Sequence, residues 1–259
     1  MENILETKNL SINFQGLKAL DNFNIEIKEK ELIGLIGPNG AGKTTVFNIL
    51  TGVYTQSEGK YILNGEEIYK EKPHTLARKG IARTFQNIRL FKNMTVIDNI
   101  IAAMNFNMKY GYLTGALRLP NYWKEEKEVR EEAMKLLQFF ALDDYHDYLA
   151  GSLPYGLQRV LEIARALATK PKIILLDEPA AGMNPHETEK LMLIIKNIRD
   201  VFGVSILLIE HDMQLVLGIC ERVLVLDYGK VIAQGNPYDV VNDPRVIEAY
   251  LGVDAIKEA

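Results

Sequence analysis

The sequence predicts an α/β fold in which a parallel sheet is joined by an antiparallel β portion towards the N-terminus and interrupted by a helical segment in the middle. Three observations carry that prediction. Leu32-Ile33-Gly34-Leu35-Ile36, residues 173–176 and residues 205–209 are short apolar runs without alternation, the pattern of strands buried on both faces of a parallel sheet. Helical patterns separate the last two of these runs, which gives βαβ units. The first third otherwise carries alternating or hairpin-like β signals, and the middle third carries helical ones.

Taken in order, Asn22-Phe23-Asn24-Ile25-Glu26-Ile27 alternates polar and apolar residues, so it reads as a strand with one buried face. Tyr61-Ile62-Leu63, Asn64-Gly65 and Glu66-Glu67-Ile68 form a hairpin signal, because Asn-Gly supplies the positive φ angles of a type I′ turn. Residues 95–108 and 123–140 read as helices, the second heavily charged until Leu136, Leu137, Phe139 and Phe140. Residues 109–122, with Gly111, Gly115 and Pro120, read as a long connection of the kind that carries function or lies against a partner. Leu157, Val160, Leu161, Ala164, Leu167 and Ala168 make one helical face. Asn184-Pro185 is an N-cap with proline at the first helical position, opening a helix through Leu191, Ile194, Ile198 and Val201. Residues 222–234 read as a hairpin turning at Asp227-Tyr228-Gly229-Lys230.

Composition narrows the function classes. With 259 residues, 47% hydrophobic and 25% charged, the chain has ordinary soluble globular content, which excludes a disordered or collagen-like protein. The charge balance of 30 − 34 = −4 supplies no overall basic field, so no nucleic acid is expected as a partner. Cys220 is the only cysteine, which excludes an intramolecular disulfide and a multi-cysteine metal site. The first residues lack a basic and apolar signal pattern, and no uncharged apolar run approaches the ~18 residues that span a bilayer. The chain is therefore expected in the cytoplasm, reaching a membrane only through another chain.

Gly37-Pro38-Asn39-Gly40-Ala41-Gly42-Lys43-Thr44-Thr45 fits G-x-x-x-x-G-K-[ST] between a buried strand and a helix, the context that motif requires. Glycines let backbone N–H groups curl around a phosphate, and the following helix directs its positive end at the same anion. Lys43 is placed to reach the β- and γ-phosphates and Thr44 to offer a hydroxyl to Mg²⁺. At residues 173–179 a buried strand ends in Asp177 and Glu178. Beside such a loop, Asp177 would hold the Mg²⁺ hydration shell and Glu178 would activate or orient a water. His74, His146 and His186 sit in polar surroundings and read as solvated, whereas His211 follows a buried strand.

With these residues in place, the sequence resembles the ATP-binding subunits of ABC transporters, and further matches follow in the family's order. Thr84-Phe85-Gln86 is similar to the Q-loop, in which Gln86 would contact Mg²⁺ and the attacking water. Leu153-Pro154-Tyr155-Gly156 and the helix after it resemble the family signature that binds nucleotide across a dimer. Residues 181–184 fall at the D-loop, His211 matches the switch histidine, and Phe14 matches the aromatic that stacks on adenine. Two departures stand out. Pro154 replaces the signature serine, leaving recognition to Gly156, nearby backbone N–H groups, the helix N-terminus or Ser152; Asn184 stands where aspartate is commoner.

The resemblance implies a P-loop NTPase core with a parallel sheet, an antiparallel β subdomain and an inserted helical subdomain. Residues 1–259 would form one ABC ATPase domain, with residues 1–86 and 161–240 as the nucleotide-binding core, 87–160 as the helical subdomain and 241–259 as a C-terminal helix and tail. The signature, residues 80–91, residues 178–185 and residues 246–252 further resemble the ATPase branch serving branched-chain amino-acid importers. That branch implies ATP and Mg²⁺ as cofactors and residence at the cytoplasmic face of the membrane. It also implies integral-membrane permeases as partners, a homodimer or a heterodimer with a related ATPase, and, indirectly, an extracytoplasmic substrate-binding protein. Two other readings compete: a soluble ABC ATPase of iron–sulfur assembly or nucleic-acid work, and a P-loop small-molecule kinase. The kinase would need an arginine-rich lid, and the sequence has no evident one.

Overall fold

The structure, a computed structural model, describes residues 3–104 and 120–251. It divides into two compact units: residues up to 86 together with those from 172 onward, and residues 87–171. The second unit thus ends at residue 171 rather than at the expected 160. The reason is local, since residues 155–168 form one continuous helix whose i→i−4 ladder leaves no break at 160.

The first unit contains two sheets. Strands β1 (Asn3–Phe14), β2 (Leu17–Lys28), β4 (Glu58–Leu63) and β5 (Glu66–Ile68) form an antiparallel sheet in the order β2-β1-β4-β5. Phe23, Ile25 and Ile27 turn inward along β2, as their alternation requires. Asn64 (φ 51) and Gly65 (φ 77) make the expected primed turn between β4 and β5. The other sheet runs β10-β9-β3-β8-β7-β6, from β3 (Leu32–Ile36), β6 (Ile81–Arg83), β7 (Ile173–Asp177), β8 (Ser205–Ile209), β9 (Arg222–Asp227) and β10 (Lys230–Gly235). It is parallel except for the β9–β10 hairpin, which turns at Tyr228 and Gly229. Strands β3, β7 and β8 are buried along their whole length, which explains their unbroken apolar runs. Helix α1 (Lys43–Leu50) contributes Val46, Phe47, Ile49 and Leu50 to a core shared by both sheets, with Leu5, Leu10, Phe23, Tyr61, Leu175 and Leu207 among its members. Helix α2 (Pro73–Arg78) precedes β6.

The second unit is helical. Helix α3 (Val96–Met104) packs against both α4 (Pro120–Phe139) and α5 (Tyr155–Ala168), and Val96, Ile97, Ile100, Leu136, Leu137, Val160 and Leu161 on the three helices are buried. Residues 109–119 of the expected long connection lie outside the described residues, and α4 opens at Pro120.

Back in the first unit, α6 (Pro185–Phe202) starts with the predicted cap: the Asn184 side chain accepts from Glu187 N, and the Glu187 carboxylate accepts from Asn184 N. Helices α7 (Met213–Ile219), α8 (Pro237–Val241) and α9 (Pro244–Leu251) complete it. The tail from residue 252 lies outside the described residues. No helix among the described residues is long and apolar enough to cross a membrane.

Candidate active site at the strand ends

Three parallel strands finish level with one another. Asp177 pairs with Ile209, and Ile209 with Leu35, so the residues that follow β3, β7 and β8 emerge along one edge. Ligands of open α/β sheets bind in the crevice at this carboxyl end. Residues 37–45 leave β3 there and run into α1. Gly37 (φ 146), Gly40 (φ 81) and Gly42 (φ 108) all take backbone conformations that side chains resist. Gly37 is also pressed against the backbone of β9, where a Cβ would collide with the Leu226 carbonyl oxygen. Ala41 is buried, Pro38 and Thr45 are half-buried, and Asn39, Gly40 and Thr44 are exposed.

The Lys43 ammonium donates to the carbonyls of Gly37 (2.6 Å) and Pro38 (2.9 Å), bending the loop around its own lysine. Burial pushes the Lys43 pKa down, opposed by the nearby carboxylates of Glu178 and Asp177. No side chain caps the N-terminus of α1. Its first-turn amides, the Lys43 charge and the open space beyond Gly40 fit a phosphate chain.

Asp177 ends β7, buried, with Oδ2 2.8 Å from Arg83. Glu178 follows with φ 46, a left-handed conformation rare for a side-chain-bearing residue. Its carboxylate is the meeting point of the site: Gln86 Nε2 donates to Oε2 at 2.8 Å, and His211 Nδ1 lies 3.8 Å from the same oxygen. Thr44, Asp177 and Gln86 offer oxygen atoms, the donor type that suits Mg²⁺.

Phe14 closes β1 and is partly exposed, edge-to-face with Tyr54 at 5.1 Å. The remaining predicted residues belong to the second unit. Leu153 is buried, Pro154 and Tyr155 are exposed and Gly156 is buried, all at the start of α5. Pro154 is the N-cap, and no side chain caps the helix. The Ser152 hydroxyl donates to the Leu149 carbonyl at 2.7 Å.

Sequence reasoning missed four charged residues. Arg83 braces Asp177. Glu210 is buried directly after β8, bonded to the amides of Ala180, His211 and Asp212. Within α5, Arg159 and Glu162 form a buried ion pair at 2.8 Å, and Glu162 also accepts from Arg89 N at 3.0 Å. The signal for Glu210 was present: an acid immediately after the apolar run 206–209, as Asp177 follows the run 173–176.

The ABC transporter family matches this sequence over residues 20–181, and the branched-chain amino acid ATP-binding cassette transporter family matches residues 230–256. The high-affinity branched-chain amino acid transport ATP-binding protein BraF of Pseudomonas aeruginosa is 45% identical over 249 residues, covering 96% of this chain and 98% of that protein. LivG of Escherichia coli, a protein of the same description, is 44% identical with the same coverage. A crystal structure of the ADP conformation of an ATP-binding cassette of an ABC transporter superposes with a TM-score of 0.84 at 34% identity, covering 97% of this chain and 100% of that one. The chain belongs to the ABC transporter family, as one of its ATP-hydrolysing cassette subunits.

Proposed function

We propose that this ATPase drives the import of branched-chain amino acids, and that Glu178 is its catalytic carboxylate. The substrate class is supported by the likeness to BraF and LivG and by the match at residues 230–256. The convergence of Gln86 and His211 on one oxygen of Glu178, at the edge where residues 37–45 leave β3, carries the catalytic part.

In this reading the amides of residues 37–45 and the Lys43 ammonium hold the β- and γ-phosphates, and Phe14 stacks on the adenine. Thr44, Asp177 and Gln86 are the groups that would hold Mg²⁺, which when bound neutralises charge on the phosphate oxygens. Glu178 accepts a proton from the attacking water, while Gln86 and His211 orient the water and the γ-phosphate. Two such chains, identical or related, close head to tail around ATP. Leu153, Pro154, Tyr155 and Gly156 of one chain then face the phosphate loop of its partner. Pro154 supplies neither hydroxyl nor N–H, so that contact rests on Gly156 and on the uncapped amides that open α5. Permeases hold the pair at the cytoplasmic face of the membrane, and a substrate-binding protein outside delivers the cargo to them.

The test combines hydrolysis by the purified protein with uptake of labelled leucine, isoleucine and valine by cells carrying Glu178→Gln. Loss of a general base removes about 10²–10⁴-fold of rate. The variant should retain ATP, hydrolyse it at least about a hundredfold more slowly, and abolish uptake. Unchanged hydrolysis refutes the role of Glu178; lost hydrolysis with unchanged uptake of all three refutes the substrate class.

A further inference from the structure

Glu210 is a buried ionisable group, 1% exposed, that the chemistry above leaves unused. It opens the loop that carries His211 and reaches across to the loop after Glu178. Its Oε1 accepts from Ala180 N at 2.8 Å, and its Oε2 accepts from His211 N at 3.1 Å and Asp212 N at 3.4 Å. Burial pushes its carboxyl above the ordinary range, and the same three amides act against that shift. A buried carboxylate is costly, and an apolar residue would serve stability as well or better. What an apolar residue lacks is the reach of two acceptor oxygens to two separate loops.

The neighbouring backbone explains why such a tie is needed. Glu178 sits at φ 46, a strained conformation that persists only where its surroundings hold it. Its own N–H donates to the Ile209 carbonyl at 2.9 Å, immediately before Glu210. Ala180, two residues on, donates to Glu210 itself. The end of β8 therefore grips the chain on both sides of Glu178, and the other oxygen of Glu210 fixes the backbone of His211. We infer that Glu210 is a positioning residue for ATP hydrolysis, clamping the loop after Glu178 to the loop of His211 so that carboxylate and imidazole keep one relative placement. This rests on the roles proposed above for Glu178 and His211.

Glu210→Gln tests it in the purified full-length protein. The amide keeps the volume but leaves one oxygen for two loops and turns an NH₂ towards a backbone N–H. Charge-assisted hydrogen bonds of this kind correspond to about a ten- to hundredfold effect. The expected result is kcat lowered by that factor, with KM for ATP and ADP affinity within about twofold of the parent. A purely structural role would lower nucleotide affinity and kcat together, and that outcome overturns the inference, as does a kcat within about twofold of the parent. If Glu210→Gln does not fold, Glu210→Asp, which reaches only one loop, is judged by the same split between kcat and KM. Glu178→Gln is run alongside. Normal hydrolysis in that variant overturns the site reading and this inference with it, whereas an impaired Glu178→Gln beside a normal Glu210→Gln overturns the clamp alone.

Discussion

Replacing Arg83 with methionine isolates a buried charge with three side-chain partners beside the site. At the end of β6, its guanidinium donates to Asp177 Oδ2 (2.8 Å), Asn48 Oδ1 (2.8 Å) and Thr51 Oγ1 (3.3 Å). Its carbon centre lies 5.4 Å from the Phe47 ring and 4.9 Å from the Phe85 ring. The ion pair is buried, with side chains 7% and 9% exposed. Breaking a buried pair from one side costs about 3–5 kcal/mol, because the remaining charge is uncompensated. Methionine keeps much of the contact with the two rings, and Lys43 still attracts Asp177, so the low end, about 3 kcal/mol, is expected. Urea unfolding of the nucleotide-free protein, followed by circular dichroism, should show the midpoint falling by about 1 M. Adding Asp177→Asn removes the stranded charge, so the double variant should be more stable than Arg83→Met alone. A loss under about 1 kcal/mol, or a double variant less stable than the single one, would refute the claim that Arg83 neutralises Asp177.

Two further consequences follow from single contacts. Asn184→Ala should cost about 1 kcal/mol in the same urea assay by removing the reciprocal cap of α6, while Asn184→Asp keeps an acceptor and should stay within a few tenths. Cys220 is buried, and its thiol is pushed up to about 12, so it should resist alkylation at pH 8 until urea unfolds the chain. Between pH 9 and 12 the unfolded thiol loses its proton while the folded one keeps it. The unfolded state then binds fewer protons, and stability should fall as pH rises through that window, more steeply than in Cys220→Ala.

How much of this was legible in the sequence depended on whether the cause was local. Residues 32–36, 173–176 and 205–209 announced buried strands because burial on both faces leaves room for a polar residue only where it is bonded, as Ser205 is to the Lys28 carbonyl, and Asn64-Gly65 announced its turn because few other pairs accept two positive φ angles. Strand β1 was not delimited: register shifts at Thr7/Leu10 and Leu10/Ile12 put Leu10 and its neighbours out of phase, so the alternation that defines a strand is broken. Helix α2, from Pro73 to Arg78, is too short for a helical period to register.

The site divides along the same line. Residues 37–45 form a contiguous motif, and Asp177 and Glu178 are adjacent, so spacing alone could nominate them. Arg83 becomes a partner of Asp177 only because β6 pairs with β7, with Arg83 opposite Leu175. Glu210 reaches Ala180 only because β8 lies beside β7 in the sheet order. Neither adjacency is written at any fixed spacing. Glu210, however, stands directly after the apolar run 206–209, and a charge there has solvent on one side only. Such a charge must find a partner along the sheet edge or shift its proton equilibrium. A charged residue directly flanking an apolar run is therefore a site candidate on the same grounds as Asp177, and by that criterion Glu210 could have been nominated before its partners were known, whereas Arg83 lies inside the three-residue β6, which no apolar run announced.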